Sequence, residues 1–259
     1  MVIDRDDLTR IADALERLAP PRATADPQSA PAYRWDASGL APLAHVDALP
    51  LDRLARIEAQ KQAFLENARR HAAGRAAHDV LLWGARGMGK SALVKSVAVE
   101  TDLILVAADG RDADRLPDLF AQLAPEPRRF LIFIDDLGVD ETALLRALRS
   151  VLDGGLTARP DNCRLAVTSN RRHLVARRFA SDDEVNPRDA ADDQLALAER
   201  FGLSLGFHAA SQDDYLAMCR SLAAPLDIDE AEAIRFATER GARSGRIAAH
   251  YVTALRGRG

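Results

Sequence analysis

Lysine is nearly missing from this 259-residue chain: only Lys61, Lys90 and Lys95 stand among 35 basic residues, the rest being arginine. A lysine-bearing motif therefore arises by accident less readily here than in an average sequence. Cysteine is almost as scarce. Cys163 and Cys219 make no disulfide framework, and both are expected as reduced thiols in a cytoplasm. Aromatic residues are 5%, and Tyr33, Trp35 and Trp83 are too scattered for a base-stacking platform. The longest apolar runs, around 80–83 and 130–134, are far too short to span a bilayer. The first seven residues bring acids and no apolar stretch, so no secretory signal is visible. Net charge is −4 with a pI near 5.9, which leaves no bulk positive charge to hold nucleic acid or a membrane surface. Histidine and cysteine show no zinc-ligand spacing, and no G-x-S-x-G elbow suggests a hydrolase triad.

What is present is an ordinary globular mixture, 47% apolar and 29% charged, long enough for a substantial core. Residues 1–50 read as an N-terminal helix and a proline-rich arm. The helix, over 4–18, has Asp4 and Asp7 placed as a capping box. In the arm, Pro20, Pro21, Pro27, Pro31, Pro42 and Pro50 forbid continuous helix or central strand, so an extended linker is expected. A helical pattern over 51–70 is ended by Gly74. Short apolar runs then alternate with helical segments. The predicted strands are 79–83, 103–108, 129–135, 164–168 and 203–207; the helices between them are 90–100, 116–123, 141–152 and 192–201. Such alternation implies an α/β domain over 51–210, a parallel sheet covered on both faces with its ligand edge at the strands' C-terminal ends. Residues 211–259 read as three helices, with starts at Ser211, Asp229 and Ser244 and stops at Pro225 and Gly241.

The strongest motif is Gly84, Ala85, Arg86, Gly87, Met88, Gly89, Lys90 and Ser91, a G-x-x-x-x-G-K-[ST] match between a strand and a helix that continues with Ala92. From this chain's own residue frequencies an accidental match has a chance of roughly one in a thousand. Glycines let backbone N–H groups approach phosphates, and the helix N-terminus adds positive potential. Lys90 is expected to reach the β- and γ-phosphates and Ser91 to ligate Mg²⁺.

The strand over 130–134 runs into two adjacent acids. Asp135 is assigned to the metal and Asp136 to polarising the attacking water as general base, with Glu141 in reserve. Asn170, at the end of the next strand, either orients that water or closes a turn. Arg200 ends a helix and is read as an arginine finger reaching a neighbouring subunit, or as an intrahelical ion pair. Arg246 opens the last helix, directed at the phosphates or at solvent. Arg171, Arg172, His173, Arg177 and Arg178, answered by Asp182, Asp183 and Glu184, read as a locally neutralised subunit contact.

In this order these elements resemble the AAA+ ATPases of the P-loop NTPase superfamily, and within them a bacterial family of ATP-binding proteins of unassigned role. The resemblance covers most of the chain. It includes Tyr33-Arg-Trp35, Gln60-Lys61 with Asn67, the phosphate loop, Thr168-Ser-Asn-Arg-Arg-His-Leu174, Glu199-Arg-Phe-Gly-Leu203 and Ser244-Gly-Arg246. It implies a five-stranded parallel sheet in the order 5-1-4-3-2, a small helical lid and nucleotide-dependent self-assembly. It names Asn170 sensor 1, Arg200 the trans finger and Arg246 sensor 2. The chain departs from the family at 54–57, where relatives have a Leu-Gly-Ile type turn near the adenine, and after Asp136. Residues 107–111 carry no aromatic-Gly pore loop, which disfavours aromatic-paddle unfolding of proteins.

The expectation is an Mg²⁺-dependent ATPase, converting ATP to ADP and phosphate, that assembles with itself and remodels an unknown protein partner. Its rival is an ATP-gated interaction protein with little hydrolysis, supported by the short acid at Asp136. A small-molecule P-loop kinase ranks below both, because the regions after Asp136 and Asn170 offer helices rather than an acceptor pocket.

Overall fold

The computed structural model describes residues 9–11, 23–24, 26–27, 29–137, 148–153, 159–170 and 199–258. Outside them lie the basic and acidic cluster of 171–184, the reserve acid Glu141, and most of the helices expected over 4–18, 141–152 and 192–201.

Strands and helices follow the apolar periods of the sequence. The strands are β1 (Ala23–Thr24), β2 (Ala32–Asp36), β3 (Gly39–Leu43), β4 (Val80–Gly84), β5 (Ile104–Ala108), β6 (Phe130–Ile134), β7 (Cys163–Ser169) and β8 (Leu203–Phe207). They form one sheet in the order β1-β3-β2-β5-β6-β7-β4-β8. From β5 through β8 every pairing is parallel, and these five strands lie side by side as β8-β4-β7-β6-β5. Among the described residues the sheet differs from the expected one, having eight strands rather than five and being mixed rather than parallel.

The difference comes from the arm, which is not a linker. β2 and β3 make an antiparallel hairpin in the register Trp35↔Leu40, and β2 docks in parallel on β5 with Ala32↔Leu105. Proline is compatible with this because it sits where no ladder donor is needed. Pro31 precedes β2 and offers its carbonyl to the Leu105 amide, while Pro42 stands on β3 beyond the two-residue β1. Tyr33 and Trp35 are both buried; the Tyr33 hydroxyl donates to the Asp26 carbonyl at 2.6 Å and accepts from the Ala30 amide at 2.8 Å. The proline count hid a strand whose alternate residues face the core.

Among the described residues six helices have defined bounds: α1 (Glu58–Ala72), α2 (Lys90–Glu100), α3 (Leu116–Leu123), α4 (Gln212–Ala223), α5 (Glu230–Glu239) and α6 (Gly245–Arg256). Short 3₁₀ turns occupy Leu51–Arg53 and Gly110–Arg115. The expected helix over 51–70 is thus a turn, a break and then α1. Successive strand residues point to opposite faces and both faces are apolar. On one side Leu82, Leu131, Phe133 and Ala166 pack with α1 and α2; on the other, Leu81, Ile132 and Val167 belong to one cluster with Tyr33, Trp35 and Phe120 of α3.

The C-terminal helices begin at the polar residues expected. Ser211 forms a capping box with Asp214, Asp229 caps α5 through the Glu232 amide, and Ser244 caps α6 through the Ile247 amide. Their buried side chains, Tyr215, Met218 and Tyr251 among them, belong to the same apolar cluster as α1 and α2. The turn before α1 clasps them further, since Arg53 donates to the carbonyls of Ser221 at 2.8 Å and Ala224 at 2.9 Å.

His71, in the last turn of α1, is buried with Nε2 3.1 Å from the Phe130 carbonyl. Burial, reinforced by the nearby charges of Arg164, Arg129 and Arg159, lowers its pKa to about 4. The native state therefore keeps this ring neutral where an unfolded histidine, with a pKa near 6.5, takes a proton. Its contribution to stability is complete above pH 6.5 and is lost as pH falls through that value toward 4. In urea unfolding across this window the stability of wild type should fall more steeply than that of His71→Gln, which does not titrate.

Candidate functional site

The site begins where β4 turns into α2. Gly84 has φ +117°, and a Cβ there would lie 2.1 Å from the Phe207 carbonyl oxygen of β8. Gly87, at φ +75°, is pressed against the start of α6: a Cβ would meet Ser244 Oγ at 2.9 Å. Only glycine fits both places. The Ala85 amide donates to the Phe207 carbonyl at 2.7 Å, and the Arg246 amide donates to the Gly87 carbonyl at 3.1 Å. The loop is thereby held by the far edge of the sheet and by a C-terminal helix at once.

Lys90, the first residue of α2, is buried. Its ammonium donates to the carbonyls of Gly84 and Ala85 and to Asn170 Oδ1, each at 2.9 Å. Burial pushes its pKa down; Asp136 and Asp135 counter this, and Arg246 and Arg86 add to it.

The two acids follow β6. Asp135 Oδ1 accepts from Ser91 Oγ at 2.6 Å and from Thr168 Oγ1 at 2.5 Å. Asp136 adopts φ +58°, which turns the chain so that its carboxylate accepts a hydrogen bond from Asn170 Nδ2. Its amide donates to Thr168 Oγ1 at 2.8 Å, and the Leu137 amide donates to the Thr168 carbonyl at 2.7 Å. Asn170 consequently bridges Lys90 to Asp136.

A cavity of about 330 Å³ opens over this cluster. Gly87, Gly89, Lys90, Ser91, Asp135, Asp136, Asn170 and Arg246 contribute its polar end, together with Arg86 and Met88 of the loop and Ala92 of α2. Leu49, Leu54 and Ile57 on one side, and Met218, Leu222 and Ala249 on the other, contribute an apolar wall. The departure at 54–57 leaves that wall in place. Arg56 takes the left-handed conformation, φ +68°, that a glycine would favour. Its amide donates to Glu58 Oε1 at 2.9 Å, and its guanidinium pairs with Asp214. Ser91 and Asp135 set a hydroxyl beside a carboxylate at the C-terminal edge of the sheet, a hard-oxygen pair that fits Mg²⁺.

Of the residues expected in the site, all of the phosphate loop, both acids, Asn170 and Arg246 are brought together. Arg200 is not. It lies at the turn before β8 with Nε 2.5 Å from Asp153 Oδ1, away from this cavity in its own chain. Thr168 and the residues of the apolar wall are not among the expected site residues. Thr168 stands two residues before Asn170, which follows β7 directly, and so shares its side of the chain; it is a buried hydroxyl two positions after the apolar Ala166. That spacing was the available signal.

Residues 28–259 match the family described as protein of unknown function (DUF815). The chain belongs to that family. No curated protein matches the DUF815 chain. Among solved structures it is similar to RuvB of Thermotoga maritima, described as a Holliday junction branch migration motor. That similarity has a TM-score of 0.51 at 21% identity over 77% of this chain and 60% of that one. Two variants of the same protein give TM-scores of 0.53 and 0.52 at 20% and 19% identity. This chain spans about 60% of the length of the RuvB chains it matches. The likeness shows an α/β fold similar to that of RuvB. No helix among the described residues is long and apolar enough to cross a membrane.

Replacing Gly84 tests the loop geometry directly. Gly84→Ala must move the backbone of β8 or of the loop, and its φ adds strain. Urea unfolding should show a loss of about 3 kcal/mol or more, against less than about 0.5 kcal/mol for a change at the exposed Arg75.

Proposed function

We propose that this DUF815 chain is an Mg²⁺-dependent ATPase of the AAA+ kind, converting ATP to ADP and phosphate. The observation that carries the reading is the convergence of Lys90, Ser91, Asp135, Asp136, Asn170 and Arg246 on one cavity that ends in an apolar wall. The amides of 86–91 at the start of α2 take the phosphates, and Lys90 exchanges an oxygen of its own chain for oxygens of the β- and γ-phosphates. Ser91 and Asp135 would hold Mg²⁺, which supplies neutralisation of phosphate charge. Asp136 accepts a proton from the attacking water and Asn170 orients that water while the β–γ bond breaks. Arg246 steadies the phosphates from α6. The wall from Leu49 to Ile57, with Met218 and Leu222, suits a base held by packing, and adenine is the base proposed.

Arg200, at the edge beside β8, is proposed to act on the site of a neighbouring copy, so the working species is a ring or an open homo-oligomer. Residues 51–210 would then be the nucleotide-binding domain and 211–259 a lid, with 1–50 as an N-terminal arm whose strands β1, β2 and β3 extend the sheet. The protein partner is unknown, and the place of action is proposed to be the cytoplasm. The Holliday junction role described for RuvB is not carried to this chain: its likeness is in fold, and its net charge of −4 offers no phosphate-binding surplus.

One observation favours an ATP-gated interaction protein with slow turnover. Asp136 is a methylene shorter than glutamate and already accepts from Asn170. Phosphate release by the purified protein over a concentration series separates the readings. Specific activity that rises with concentration supports the assembled ATPase, and ATP binding without release supports the gated protein.

Lys90→Ala should weaken ATP binding at least about 100-fold in calorimetry. Asp136→Asn should keep binding while turnover drops about 10²–10⁴-fold; wild-type turnover in that variant would remove Asp136 as the base. Arg200→Ala should lower turnover about 1000-fold or more with ATP affinity retained, and mixing it with Asp136→Asn protein should restore part of the lost activity.

A further inference from the structure

Thr168 takes part in three hydrogen bonds at the site, and the proposed chemistry gives it no task. It is fully buried at the end of β7. Its hydroxyl accepts from the Asp136 amide at 2.8 Å, so its single proton is committed to Asp135 Oδ1 at 2.5 Å. Its carbonyl accepts from the Leu137 amide at 2.7 Å. A relay therefore runs from the amide of one acid, through one hydroxyl, to the carboxylate of the other. The amide that begins it belongs to a residue in the left-handed region, where a non-glycine persists only if neighbouring contacts hold it.

We propose that Thr168 is the positioning residue for both acids, fixing the orientation of the Asp135 carboxylate toward Mg²⁺ and the backbone turn that aims Asp136 at Asn170. This deepens the ATPase reading and rests on it for the metal. A hydroxyl is needed because only a group that donates and accepts at one atom serves both neighbours. Valine, of nearly the same shape, does neither and leaves the Asp136 amide without its partner. Serine keeps both bonds and loses only a methyl group.

Two measurements on wild type, Thr168→Val and Thr168→Ser test the assignment. The first is amide hydrogen exchange in the nucleotide-free protein. In Thr168→Val the Asp136 amide should exchange about tenfold faster or more, with the Leu137 amide, bound to the backbone carbonyl, unchanged. In Thr168→Ser both should match wild type. The second is the ratio of the ATP dissociation constant in EDTA to that in Mg²⁺, by calorimetry. Loss of a bond that orients a metal ligand typically costs 10- to 100-fold in metal affinity, so this ratio should fall about tenfold or more in Thr168→Val and be retained in Thr168→Ser. Equal acceleration of both amides in Thr168→Val, failure of serine to preserve the pattern, or an unchanged ratio in Thr168→Val overturns the assignment alone. Wild type binding no ATP in calorimetry would overturn the ATPase reading, and the metal role of Thr168 with it, whatever the exchange data show.

Discussion

The rest of the site depends on keeping one ammonium group charged inside a protein. A lysine withdrawn from water loses hydration that only well-placed oxygens replace, and an unpaired buried charge is among the most costly features a fold can hold. Lys90 meets that demand with two main-chain carbonyls of its own loop and the side chain of Asn170. The carbonyls of Gly84 and Ala85 can face inward only because Gly84 adopts a conformation closed to other residues, pressed onto β8. Asn170 has its oxygen turned to Lys90 and so its amide nitrogen turned to Asp136. The orientation of one amide thus passes from the cation to the acid, and from there through Thr168 to Asp135.

Around this centre the chain supplies support from distant segments. The hairpin of β2 and β3 covers β5, which would otherwise end the parallel sheet as an open edge. The turn at Leu51–Arg53 and the left-handed Arg56 bind the approach to α1 against α4, through Ser221, Ala224 and Asp214. These contacts fix the apolar wall relative to the polar end of the cavity. They do so with side chains far apart in sequence, in a region where local patterning carried little information.

That distinction explains what the sequence disclosed. Parallel strands buried on both faces announce themselves as short apolar runs, and α2 and α3 have the bounds their periodicity predicts. The phosphate loop, both acids, Asn170 and Arg246 were legible because each stands at a strand end or helix start, where chain geometry determines direction. The hairpin was hidden because proline was weighed as a breaker, although Pro31 and Pro42 fall at positions without ladder donors. Thr168 stands in a polar run that the sequence shows, but it carries no role there because a threonine inside a strand reads as β-propensity, and its task appears only when β6 and β7 are neighbours. The apolar wall draws residues from 49 to 249, a separation that no local period expresses.

The bond from the Arg246 amide to the Gly87 carbonyl has a mechanical consequence. It joins main chain to main chain, so every residue at 246 except proline can make it, and charge plays no part. The phosphate loop and the last helix therefore share a joint: if the loop changes shape, the helix is pulled or released. Whatever guanidinium chemistry is added at position 246 acts on a coupling that the peptide backbone has already made.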